Sequence, residues 1–143
     1  MIITRHTTVK RGTIYTLGSA HPDAAAQLDR LMRDPWVLLV DIRWRPQSRW
    51  WPQWNRAALT ARYGHRYVWE RRLGNQHDQH RERGIQLPVG HEDAIGEAAD
   101  LLCAGTSLIV LCACQHERAC HRSLVAKLIQ DALPVLQHGE VRR

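Results

Sequence analysis

Ser107-Leu-Ile-Val-Leu-Cys-Ala-Cys114, followed after five residues by Cys120-His-Arg-Ser123 and then by Leu124, Val125, Leu128 and Ile129, is the stretch that decides the fold. The apolar run Leu108 to Leu111 is as short as a strand and too short for a buried helix, and it lacks polar alternation. Both features predict a parallel strand covered on its two faces. The four aliphatic residues at helical spacing after it predict an amphipathic helix that ends before Pro134.

The same pattern occurs twice more towards the N-terminus. Val37-Leu-Leu-Val-Asp-Ile42 is nearly all apolar and is expected to lie centrally in the sheet, and a short strand is expected over 65–69. Thr13-Ile-Tyr-Thr-Leu17 is rich in β-formers and leads through Gly18-Ser19 to His21-Pro22-Asp23, which opens a helix carrying Leu28, Leu31 and Met32. That helix stops at Asp34-Pro35. Asn55 is placed to cap a helix running to about Tyr63, with Gly64 as its stop. A further helix is expected from Glu92 to about Cys103, burying Ile95, Ala98, Leu101 and Leu102.

Strands alternating with helices predict a single compact α/β domain over residues 1–143, a three-layer, mostly parallel sheet with helices on both faces. Residues 1–12 read as an N-terminal extension and 71–90, highly charged and without periodicity, as an irregular excursion. Ligands of such sheets sit beyond the carboxyl ends of the strands. Gly18, Ser19 and His21, then Asp41 and Arg43, then Cys112 and Cys114 are therefore expected to converge.

Composition fits that class. Hydrophobic residues are 44% of the chain and charged residues 24%, both near globular averages. No apolar run approaches the ~20 residues of a membrane span. Residues 1–10 lack the apolar core of a secretory signal, so a cytoplasmic location and no membrane partner are expected. Between Asp41 and Arg83 stand ten arginines against four acids, a surplus equal to the chain's whole formal net charge of +6.

The run from Cys112 to Ser123 admits three readings. In one, free amides at the start of the helix, helped by Arg122 and Ser123, bind an anion such as phosphate, and a cysteine beside them has a lowered pKa and serves as nucleophile. Cys112 and Arg118 stand at the C-x5-R spacing that serves that purpose, though without the usual glycines. In the second, zinc is held by Cys112 or Cys114 with Cys120, His116 and His121. Against it, the spacing matches no common zinc framework, and adjacent residues such as Cys120 and His121 are expected to point apart. In the third, Cys103 and Cys112 are small buried hydrophobes, Cys120 and His121 anchor the helix, and Asp41 pairs with Arg122 or Arg43.

The basic segment interleaves arginine with Trp44, Trp50, Trp51, Trp54, Tyr63, Tyr67 and Trp69. Cations for phosphates and aromatic faces for bases are what binders of unpaired nucleic acid use. Arg45, Trp50, Trp51 and Arg56 would form that surface, whereas Trp54, next to a helix carrying Leu59, is expected in the core.

Taken in order, these motifs resemble the family known as domain of unknown function 488. Thr13 to Gly18 is similar to its opening strand and glycine. Leu39 to Arg43 with Pro46, Ser48, Arg49 and Asn55 resembles its second block, Tyr67 with Leu73-Gly74 its third, and Leu111-Cys112 with Cys120-His121-Arg122-Ser123 its last. A histidine and serine that follow the first glycine in the family are replaced here by Ser19 and Ala20. The resemblance implies a compact α/β fold and a site made of Arg43, Ser48, Arg49, Cys120, His121 and Arg122, but no reaction.

The leading expectation is a pocket at the carboxyl edge of the sheet for a phosphate-bearing small molecule or nucleic acid. Arg43, Ser48, Arg49, Arg122, Ser123, Ser19 and Asp41 would bind it, Cys120 and His121 would supply the chemistry, and no cofactor is expected unless zinc is held as above. A non-catalytic nucleic-acid module built on residues 43–72 is the main alternative, and a structural or partner-docking domain the next.

Overall fold

The structure is a computed structural model and describes residues 10–114 and 120–134. Four strands, β1 (Ile14–Gly18), β2 (Val37–Asp41), β3 (Tyr67–Trp69) and β4 (Ser107–Cys112), form an all-parallel sheet in the order β1-β4-β2-β3. Four helices, α1 (Ala24–Leu31), α2 (Arg56–Tyr63), α3 (His91–Cys103) and α4 (His121–Ala132), cover it. The two long apolar runs of the sequence are thus the two central strands.

Period-two alternation sorts the side chains of β4 between two cores. Leu108, Val110 and Cys112 pack with Val40, Ile42, the α3 residues Ala94, Ile95, Ala98 and Leu102, and Val125 and Ile129 of α4. Ile109 and Leu111 pack on the other face with Val37, Leu39, Ala24 and Leu28 of α1, Leu59 of α2, and Trp54 and Tyr67. Two helices on each face make the three layers. Each of the fully buried aliphatics, such as Ile109 and Leu111, contributes about 1.5–3 kcal/mol relative to exposure.

Two buried positions differ from expectation. Leu101 is exposed, because the apolar stripe of α3 runs through Ala94, Ile95, Ala98, Ala99 and Leu102 and leaves Leu101 beside it. Cys103 ends the same helix and is only half-buried. Trp54 lies in the core as expected. Residues 71–90 form two short 3-10 turns, at Arg71–Leu73 and Arg81–Arg83, and no longer element.

Register is what builds the site. Gly18 pairs with Cys112 and Asp41 with Leu111, so β1, β4 and β2 end level. Beyond the ladder the Ser19 amide donates to the Cys112 carbonyl at 2.8 Å, and the Ile42 amide to the Leu111 carbonyl at 3.0 Å. Chain leaving all three strands is held side by side.

Candidate functional site

Beyond the strand ends the residues divide into two groups on opposite faces of the sheet. Asp41 continues the alternation of Leu39, towards α1 and α2. It is fully buried and accepts from Arg43 Nε at 2.8 Å, Arg43 Nη2 at 2.7 Å, the Arg43 amide at 3.1 Å and the Tyr67 hydroxyl at 2.6 Å. Arg43 Nη2 also donates to the Trp54 carbonyl at 2.5 Å. Burial works to lower the pKa of Arg43, but the carboxylate outweighs it and the net shift is upward. Tyr67 is likewise raised, by burial first and then by the Asp41 charge. This is a buried ion pair with its lone pairs satisfied, the Asp41–Arg43 alternative of the sequence reading.

Cys112, Cys120 and His121 form the second group, on the α3 and α4 face. All three are buried, and their ligand-capable atoms lie within 4.8 Å of one another. His121 Nδ1 is 3.6 Å from Cys112 Sγ, and its Nε2 is 3.2 Å from the Ile42 carbonyl. The expectation that Cys120 and His121 point apart is overturned. Cys120 is the extended residue before α4 and His121 is in its first turn, and the change of backbone conformation between them turns both side chains towards β4. His116 and Arg118, which entered the zinc and C-x5-R readings, lie outside the described residues.

Cys114 joins this group from the pocket side. Its pKa is well below the ordinary thiol range because the thiols of Cys112 and Cys120 both donate towards its sulfur, with Arg81 adding positive potential. Cys112 is pushed up chiefly by its interaction with Cys114, and Cys120 chiefly by its interaction with Cys112. The three thiols titrate as a unit whose negative charge gathers on Cys114.

A pocket of about 200 Å³ opens at this edge, bordered by Cys112, Ala113, Cys114 and His121 on one side and by Arg43, Trp44 and Arg45 after β2. The excursion supplies the rest, through Asn75, Asp78, Arg81, Gly84 and Ile85. Asn75 is buried and its Oδ1 accepts from the amides of His77 and Gln86, which folds the excursion back on itself. In the sequence these residues form only an irregular, charged stretch. The only signal was the density of arginine there, which carries no information about direction.

Other expected site residues stand elsewhere. Ser48 Oγ accepts from the amides of Trp50 and Trp51, and the Ser48 amide donates to Asn55 Oδ1 at 2.6 Å, so Ser48 shapes its own loop. With Arg49 it borders a separate shallow depression. Arg122 is 5% exposed; its Nη1 donates to the Cys114 carbonyl at 2.5 Å, and its Nε is buried without a partner among the described residues. It ties the segment leaving β4 to the start of α4. A Cβ at Gly18 would stand 1.7 Å from that same carbonyl oxygen and 2.4 Å from Arg122 Nη1, so only glycine admits this crossing. Ser19, Arg122 and Ser123 do not border the pocket.

Of the aromatic segment, Trp50 and Trp51 are 74% and 61% exposed. Arg56 lies 4.6 Å from the ring of Trp69, and Arg71 3.8 Å from that of Trp44. Those two arginines are engaged within the fold.

A parallel α/β sheet with a cysteine- and histidine-walled pocket at its carboxyl edge defines the class of this protein. The sequence pattern of the family described as "Domain of unknown function DUF488" matches residues 23–129, and the chain belongs to that family. The match begins after the opening strand and includes the Leu39–Arg43 block and Cys120-His121-Arg122-Ser123. No curated protein and no solved structure matches the chain. Among the described residues no helix is long and apolar enough to cross a membrane.

Proposed function

We propose that the chain binds a phosphate-bearing ligand, a nucleotide or the end of a nucleic-acid strand, in the pocket at the carboxyl edge of the sheet, with Arg45 and Arg81 holding the phosphate. The observation that carries this reading is the placement of those two cations on one pocket. Arg43 borders it too, but its charge is met by Asp41. Arg45 reaches a carboxylate only at 3.8 Å, in Asp78, and Arg81 pairs with none among the described residues. Arginines with donors to spare suit phosphate, which accepts two parallel bonds from one guanidinium. A volume of about 200 Å³ is below the roughly 300 Å³ at which whole-ligand sites begin, so the pocket takes the phosphate and its neighbouring sugar while the rest of the ligand stays outside. Trp44 offers an aromatic wall beside it.

Calorimetric titration with a nucleoside monophosphate and with the bare nucleoside tests this. The phosphate-bearing compound binds and the nucleoside does not. Arg45→Ala and Arg81→Ala each weaken binding by about 1.5–3 kcal/mol, the worth of a charge-assisted hydrogen bond. Arg49→Ala leaves it unchanged. Equal binding of both compounds, or binding indifferent to both pocket arginines, refutes the proposal.

Exposed Trp50 and Trp51 beside Arg49 support a second reading, a stacking surface for unpaired nucleic acid. Loss of oligonucleotide binding in Trp50→Ala/Trp51→Ala, with Arg81→Ala neutral, favours it over the pocket.

A further inference from the structure

We infer that Cys112, Cys120 and His121 form a zinc site, with a fourth coordination position reached from the carboxyl-edge pocket beside Cys114. The inference stands on ligand geometry and does not depend on the phosphate reading.

Three observations carry it. The first is separation. With Zn–S about 2.3 Å and Zn–N about 2.0 Å, two ligands of a tetrahedral centre lie roughly 3.5 Å apart. Cys112 Sγ and His121 Nδ1 are 3.6 Å apart, and all three ligand atoms fall within 4.8 Å of one another. The Cys112–His121 separation is already that of two ligands on one zinc, and the remaining pairs lie within about 1 Å of it.

The second is the state of the imidazole. The Ile42 carbonyl can only accept, so the ring nitrogen facing it at 3.2 Å, Nε2, carries the proton. In the neutral ring Nδ1 then presents its lone pair to the cysteines. A metal-bound histidine is oriented by such an outer hydrogen bond to a carbonyl or carboxylate. Here the carbonyl belongs to the chain leaving β2, and the ligands come from the end of β4 and the start of α4. Rigid elements hold every part.

The third is charge. Cys112 and Cys120 sit in the apolar core with Val40, Ile42, Val110 and Val125, where an unpaired thiolate or imidazolium is costly. Zinc entering between two thiols and the neutral imidazole displaces two protons to solvent. The two thiolates and the dication then sum to zero, which a buried site tolerates. Two sulfurs and one imidazole nitrogen select Zn²⁺ over the oxygen-seeking cations. Cys112 and His121 both border the pocket and Cys120 does not, so the fourth position is approached from the pocket side. Three protein ligands with one accessible position is the arrangement of zinc sites that act on a bound molecule.

The test uses the full chain, purified reduced and without metal-affinity resin from cells grown with zinc, with metal measured by plasma mass spectrometry. About one zinc per chain is expected. Titrating the metal-free protein with ZnCl₂ in weak buffer should release about two protons per zinc. CoCl₂ in its place should give thiolate-to-metal charge transfer and the intense visible bands of tetrahedral Co²⁺. Cys120→Ser and His121→Gln should weaken zinc binding by more than the ~10–100-fold that loss of an outer-shell partner costs. Cys103→Ala, on α3 and outside the cluster, keeps full zinc. Should the ligand variants fail to fold, the cobalt spectrum and proton count of the unaltered chain decide. No zinc uptake by the reduced protein, an octahedral cobalt spectrum, or zinc retained unchanged in both ligand variants overturns the inference. Loss of phosphate binding in Arg81→Ala with zinc content intact would separate the two sites.

Discussion

Replacing Asp41 with asparagine keeps the shape of the side chain and removes its charge, which isolates what the buried pair does. Asp41 is fully buried and accepts four hydrogen bonds, three of them from Arg43. In Asp41→Asn the buried Arg43 is left with no carboxylate, and because it donates to both oxygens of Asp41 the amide nitrogen of the new side chain opposes an Arg43 N–H, donor against donor, whichever way it turns. Breaking a buried pair by changing one partner costs about 3–5 kcal/mol. At about 2–4 °C per kcal/mol for a chain of this length, Tm falls by roughly 6–20 °C. Tyr67→Phe loses only one bond to a charged acceptor and costs about 1.5–3 kcal/mol. The double variant Asp41→Leu/Arg43→Met, which leaves no charge behind, is milder than Asp41→Asn. Urea unfolding followed by tryptophan fluorescence ranks the three, since Trp54 is buried against this pair. A cost under about 1 kcal/mol for Asp41→Asn would refute the reasoning, because solvent or a ligand would then be satisfying Arg43.

Gly18→Ala drives a Cβ into the Cys114 carbonyl oxygen and should cost more than the about 1–3 kcal/mol of ordinary overpacking, whereas Gly96→Ala, in α3 with nothing within 4 Å, should stabilise by about 0.5–1 kcal/mol; thermal unfolding of the pair checks both signs. Trp54→Ala should cost about 3–5 kcal/mol by urea unfolding, and Trp50→Ala and Trp51→Ala less than about 0.5 kcal/mol each, so a large loss at Trp50 would mean it packs in solution. The pKa of Glu97 is lowered by its hydrogen bond from Arg72, so its contribution is present above the ordinary carboxylate range and is lost as pH falls through the folded value. Unfolding of Glu97→Gln should therefore vary less with pH across that acid range than unfolding of the parent chain, and the difference should shrink in salt because the group is exposed.

Sequence alone determined the layers of this protein. Two short apolar runs with no polar alternation read as strands covered on both faces, and the aliphatic spacing around them as the helices that do the covering. From that followed the parallel sheet and the meeting of Gly18, Cys112 and the chain after Asp41, which the register confirms, and the expectation of a site at the carboxyl edge. Side-chain direction at that edge was decided by tertiary structure. Asp41 and Cys112 end neighbouring strands, yet pleating sends one to each face of the sheet, so Asp41 meets Arg43 and Tyr67 and never Arg122. Cys120 and His121 are adjacent in sequence, and only the turn into α4 brings both to Cys112. The excursion was illegible for a related reason: Asn75 and Arg81 reach the pocket through loop hydrogen bonds that leave no periodicity in the sequence. Periodicity reports which face of an element is buried. It does not report which polar groups the fold then sets within bonding distance, and at this edge those groups border the pocket.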